Sequence, residues 1–133
     1  MSTRQLLMLG ASVLTFCLNT VYGQTDVKQK QAPLVRLAEL EIDPAQLESY
    51  QAALKEEIET SIRVEPGVLT LYAVAEKENP AHVRIFEIYA NEAAYKAHLE
   101  TPHFKKYKTT TQAMVKSLNL VETTPILLGA KAK

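Results

Sequence analysis

The residues whose types could do chemistry are concentrated between Glu65 and Tyr107. His98 lies on or beside an apolar helical face with Ala94, Tyr95 and Leu99, and an unperturbed imidazole titrates near physiological pH, so it could take up or release a proton. A boundary histidine bonded to a backbone carbonyl would read the same. His103 follows Pro102 at a helix start, where the helix dipole disfavours a cation and a neutral imidazole could serve as an acceptor, a cap or a packing group. Tyr72 and Tyr89 could stack on a flat ligand and offer a hydroxyl, or simply fill a sheet core. Glu87 is flanked by apolar residues on a strand, and a buried carboxylate needs a partner. Arg84 lies three positions earlier and so faces the opposite side; an ion pair across a dimer interface would account for Glu87.

Other chemistries find no pattern. The four glycines form no phosphate-binding loop, and no nucleophile elbow is present. His98 and His103 are five positions apart with Pro102 between them, which does not place them on one helical face, so no metal ligand set is expected.

The elements that must position these groups follow from periodicity. Val68–Ala75 and His82–Tyr89 are rich in β-branched and aromatic residues, and the polar segment 76–80 ends in Asn-Pro, which gives an antiparallel hairpin. After Tyr89 the period changes from two to about 3.6, with Asn91 placed to cap a short helix. Upstream, Leu34–Ile42 alternates as a strand. Asp43-Pro44 opens a helix in which Gln46 could reach back as in a capping box, and Leu47, Tyr50, Leu54, Ile58 and Ile62 form its apolar stripe. Glu65-Pro66-Gly67 ends that helix. Downstream, Thr101-Pro102 starts a further helix whose face runs through Phe104, Tyr107, Thr111, Met114 and Leu118, and residues 118–126 read as the last strand.

The order is β-α-β-β-α-β, with the second helical region broken at Thr101. This is the split βαβ, ferredoxin-like α+β arrangement: four antiparallel strands with the helices on one face. Both faces of the central strands are apolar, so the uncovered face calls for a partner, and a homodimer with two sheets packed face to face is expected.

The N-terminus has its own logic. Residues 1–23 carry Arg4, an apolar core over residues 6–18 and the small-residue ending Val21-Tyr22-Gly23, the layout of a secretory signal peptide cleaved after Gly23. The core is too short and interrupted to span a membrane, so a periplasmic or secreted protein without a stable membrane anchor is expected. Cleavage removes Cys17, the single cysteine, and with it disulfides, thiolate ligands and a cysteine nucleophile. It also removes Arg4 from the 15 basic residues, leaving 14 against 15 acidic ones. Near-neutral charge without a basic block excludes a nucleic-acid partner. Residues 24–33 read as a flexible leader, 34–126 as one domain and 127–133 as a C-terminal tail.

The segment Ile85-Phe86-Glu87-Ile88-Tyr89, followed by Ala93-Ala94-Tyr95-Lys96-Ala97-His98-Leu99 and Thr101-Pro102-His103-Phe104, resembles the signature of the antibiotic biosynthesis monooxygenase family. Ala38-Glu39-Leu40 with Pro44, and Glu65-Pro66-Gly67, extend the resemblance over most of residues 34–126. The resemblance implies a dimeric α/β barrel and a reaction without flavin, metal or other cofactor. An electron-rich quinol or phenol loses a proton, and its anion reduces dioxygen directly. On that reading His98, and after it His103, are candidates for the catalytic base, and Tyr72, Tyr89, Phe86 and Glu87 for the substrate slot. Tyr89 stands where many relatives carry tryptophan. The branch that degrades haem uses an asparagine on the first strand and a tryptophan; here the first strand offers Arg36, Ala38 and Glu39, the chain has no tryptophan, and haem degradation is not expected. The alternative is a dimeric barrel that binds a small apolar ligand without turnover. A histidine or tyrosine hydroxyl turned into an enclosed cavity would favour the enzyme, and a purely aliphatic lining the binder.

Overall fold

The computed structural model describes residues 32–131; the expected signal peptide and most of the expected leader lie outside the described residues. Four strands and three helices follow in the order β1 (Leu34–Ile42), α1 (Leu47–Val64), β2 (Val68–Ala75), β3 (His82–Tyr89), α2 (Glu92–Leu99), α3 (Pro102–Thr111) and β4 (Val115–Thr123), with a 3-10 turn at Pro44–Gln46 before α1. The strands form one antiparallel sheet in the order β2-β3-β1-β4, so the expected ferredoxin-like α+β fold is present.

Local chemistry sets the element starts. Asp43 accepts from the Ala45 amide at 3.0 Å, Asn91 from the Ala94 amide at 2.9 Å and Thr101 from the Phe104 amide at 3.3 Å, and Pro44 and Pro102 stand where a missing amide proton costs nothing. Gln46 does not close a capping box; its side chain reaches the Ala113 carbonyl at 3.5 Å instead.

Two expectations are corrected. The last helix stops at Thr111 and does not continue through Met114 to Leu118, and the strand runs over Val115–Thr123 and not 118–126. Val115 pairs with Ile42 and Leu118 with Leu40, so sheet hydrogen bonding with β1 overrides a helical spacing that the same residues also satisfy. The stripe of α1 also turns in its second half. Tyr50, Leu54, Glu57 and Ser61 are buried, while Ile62 is 49% exposed.

Pairing sorts the sheet into two faces. The rows Ala75-Val83-Leu40-Leu118 and Ala73-Ile85-Ala38-Leu120 lie on the helix side, as does Leu71-Glu87-Arg36-Glu122. The core forms there: Ala38, Leu40, Ile42, Val83 and Ile85 pack with Tyr50 and Leu54, and a second cluster joins Val68, Leu71 and Tyr89 to Ala94 and Tyr95 of α2. Each fully buried aliphatic side chain contributes about 1.5–3 kcal/mol. The other face carries the row Tyr72-Phe86-Leu37-Val121, and its members Tyr72 and Phe86, with the neighbouring Val74, are exposed. Among the described residues no helix is long and apolar enough to cross a membrane.

Candidate functional site

Between the sheet's helix side and the helices α2 and α3 lies a cavity of about 700 Å³. Ala38, Leu40, Ile85, Leu118 and Leu120 form its floor, and Glu87, Tyr89, Tyr95, His98, Phe104 and Tyr107 line its polar and aromatic walls. That volume suits a small ring compound. Strand alternation puts Glu87 and Tyr89 on the same face, two residues apart, and the Tyr89 hydroxyl donates to Glu87 Oε2 at 2.9 Å.

Burial lifts the Glu87 carboxyl above the ordinary glutamate range, with the Tyr89 hydrogen bond and the nearby His98 and Arg36 charges only partly opposing it. Burial, and the carboxylate beside it, likewise push the Tyr89 hydroxyl up. Glu87 therefore does not form an ion pair across the outer face of the sheet. It points to the helix side, while Arg84, as its spacing predicts, faces outward and binds Glu76 at 2.8 Å and Glu39 at 3.7 Å.

His98 is only 3% exposed, held by its packing against Phe104, with ring centroids 4.7 Å apart, and Tyr89, at 5.4 Å. Its ring lines the cavity, but its nitrogens do not face it. Nδ1 lies 3.0 Å from Glu65 Oε1, and Nε2 lies 3.6 Å from Glu57 Oε1. His103 approaches the same Glu65 oxygen through Nε2 at 2.5 Å. The break at Thr101 is what brings the two histidines together, since it folds α3 back so that residues that could not share one helical face converge from two helices. Burial would raise Glu65, yet the hydrogen bonds from His103 and His98 outweigh it and hold the carboxyl below its usual range. Glu57 is pushed up by burial, opposed by the Ser61 hydroxyl, which donates to it at 2.7 Å.

Tyr72 and Phe86 are not brought to this cavity; both stand on the opposite face of the sheet, where Tyr72 is 68% exposed. Three relevant residues escaped the sequence reading. Glu65 read as a helix stop and as part of the family resemblance, without a chemical role. Glu57 could have been found from the spacing Tyr50, Leu54, Glu57, Ser61, which keeps one helical face and puts a carboxylate and a hydroxyl on it. Arg36 carries the third signal: its guanidinium lies 4.2 Å from the centroid of the Tyr95 ring, and its buried Nε has no hydrogen-bond partner among the described residues.

The family model described as antibiotic biosynthesis monooxygenase matches residues 33–110. The chain belongs to the antibiotic biosynthesis monooxygenase family. No curated protein matches the chain. Among solved structures, a candidate antibiotic biosynthesis monooxygenase from Bacteroides thetaiotaomicron is 62% identical, with 76% of this chain and 96% of that one covered and a TM-score of 0.73. A candidate monooxygenase from Lactobacillus acidophilus is 35% identical over 68% of this chain and 44% of its own length, with a TM-score of 0.65. A candidate family member from Nitrosomonas europaea is 21% identical over 71% of this chain and 99% of that one, with a TM-score of 0.67, and shares the fold. Within the family frame, the cavity wall made by Glu87, Tyr89 and His98 comes from the segments that carry the sequence resemblance.

Proposed function

We propose that this family member is a monooxygenase for a flat, electron-rich aromatic of the quinol or phenol class, with Glu87 as the base. The observation that carries the reading is the half-buried Glu87 carboxyl, raised above the ordinary glutamate range and bonded to Tyr89 beside an aromatic-walled cavity. A base needs a proton affinity near the working pH and a free approach to its substrate. Burial raises the proton affinity of Glu87, which lines the cavity, whereas the two nitrogens of His98 are turned to carboxylates.

In the proposed step a quinol hydroxyl gives its proton to Glu87, and the ring anion passes electrons to dioxygen. One oxygen atom bonds to a ring carbon, the other leaves as water, and a hydroquinone plus dioxygen becomes a hydroxylated quinone plus one water. The quinol supplies all four electrons, so the balance needs no further reductant. Tyr89, Tyr95 and Phe104 would hold the ring, and the Arg36 guanidinium beside Tyr95 would steady the developing anion. A wall bearing a carboxylate and tyrosine hydroxyls favours turnover over an aliphatic binding slot.

Two further parts of the proposal lie outside the cavity. The exposed row around Tyr72 and Phe86 would be covered by a second copy, giving a homodimer, and the N-terminal segment would direct export to the periplasm or beyond. Oxygen uptake by purified protein with a panel of reduced benzo- and naphthoquinols tests the function. Uptake above autoxidation, with one water-forming oxygenation per dioxygen, is expected; folded protein that leaves every quinol at its autoxidation rate would overturn it.

A further inference from the structure

We propose that Glu65, His98 and His103 form a binding site for one divalent transition-metal ion of the zinc, iron(II) or cobalt(II) class, which clips the end of α1 to the junction of α2 and α3. The three residues come from separate elements: Glu65 just past α1, His98 on α2 and His103 in the first turn of α3. One ligand atom from each lies within 4.8 Å of the other two. A tetrahedral ion with bonds of about 2.1 Å separates its ligands by roughly 3.4 Å, so the triangle is already near the required size. Two ring nitrogens converge on a single oxygen, Glu65 Oε1, at 3.0 Å from His98 and 2.5 Å from His103. That is the arrangement left when ring protons stand between ligands in place of an ion.

A second feature supports the assignment independently. Metal-bound imidazoles characteristically turn their other nitrogen to a carboxylate that fixes the ring. His98 does so: with Nδ1 aimed at the cluster, Nε2 lies 3.6 Å from Glu57 Oε1, and the same oxygen is held by Ser61 at 2.7 Å. Two imidazoles and one carboxylate suit a borderline ion; an all-oxygen shell, which calcium or magnesium prefers, is missing, as is the thiolate favoured by copper(I). Three protein ligands leave a fourth position, and the side chains of Glu65 and His103, 12% and 18% exposed, leave that side open to solvent for entry.

The site would act on the cavity from behind its wall. His98 packs on Phe104 and Tyr89, which line the cavity, so a bound ion would fix the wall's position without itself reaching the ligand. The inference is independent of the proposed oxygenation.

The test uses the untagged full chain, stripped with chelator and titrated with Zn²⁺ by calorimetry and with Co²⁺ by visible absorption. One ion per chain, Co²⁺ d–d bands of a low-coordinate site and a rise of several degrees in melting temperature on adding Zn²⁺ are expected. Glu65→Gln and His103→Gln should each abolish the bands, and Glu57→Gln should weaken binding about 10- to 100-fold at unchanged stoichiometry. His82→Ala, which removes the surface histidine 3.1 Å from Glu76, should change nothing. If Glu65→Gln fails to fold, the more exposed His103 carries the comparison. No bands and no melting shift, or binding that survives in His103→Gln and is lost in His82→Ala, would overturn the proposal.

Discussion

The Tyr89 hydroxyl donates to Glu87 Oε2 at 2.9 Å, and both side chains stand on the helix side of β3. Glu87 lies across the sheet from Arg36 on one strand and Leu71 on the other, and Tyr89 from Leu34 and Val68. A carboxyl raised by burial is one whose ionisation the fold resists. Below the ordinary glutamate range both folded and unfolded chains carry it protonated, and its favourable contribution is fully present. That contribution is lost as pH rises through the elevated folded value. The surrounding groups are Tyr89, His98 and Arg36, which favour the ionised form, and Glu57, which disfavours it. Glu87→Gln should therefore melt a few degrees above the natural protein at neutral pH, and the two curves should converge in acid. Circular-dichroism melts between acid and neutral pH measure the difference.

Gly67 provides a steric prediction. A Cβ built there would stand 2.6 Å from the Ala94 Cβ, so the turn leading into β2 runs too close to α2 to leave room for a side chain. Gly67→Ala should cost about 1–3 kcal/mol by overpacking. Adding Ala94→Gly, itself worth about 1 kcal/mol of helix stability, should return part of that loss. Urea unfolding of the double-mutant cycle would read a favourable coupling between the two changes.

Tyr50 and Tyr107 share a hydrogen bond of 2.8 Å beside the core, and Tyr50 is completely buried. Burial pushes both hydroxyls above their ordinary range, so they act as a neutral pair. Tyr107→Phe leaves the Tyr50 hydroxyl unpartnered and should cost about 1–3 kcal/mol in urea unfolding, while the double Phe variant should recover most of it.

The outer face gives a prediction on assembly. Tyr72 is exposed and paired across the sheet with Phe86, which continues to Leu37 and Val121. A lysine at such an exposed position leaves the chain's own core untouched and opposes apolar association. Sedimentation should find the natural protein as a dimer and Tyr72→Lys as a folded monomer.

Much of the fold was legible because its signals are local. Asn91 and Thr101 cap the helices that follow them, and the apolar run from His82 to Tyr89 is the strand it resembles. The failures came where long-range pairing decides. Leu118 fits a helical face as well as a strand, and only its partner Leu40 on β1 selects the strand. The site divides in the same way. His98, Tyr89 and Glu87 announce themselves by type and neighbourhood, but the direction of the His98 nitrogens depends on Glu57 and Glu65, which arrive from α1 across the fold. Tyr72 and Phe86 fell on the other face because the irregularity between Val68 and Thr70 sets the phase of β2, and strand alternation separates Phe86 from Glu87.

The central claim is that Glu87 takes the substrate proton in an oxygenation, and the turnover number of Glu87→Gln measures it most directly. The variant keeps the shape of the wall and an acceptor for the Tyr89 hydroxyl while removing the base. With the reduced quinol that the natural protein oxidises fastest, kcat for dioxygen uptake should fall about 10²- to 10⁴-fold, with KM little changed. A glutamine variant that turns the same quinol over at the natural rate would contradict the account.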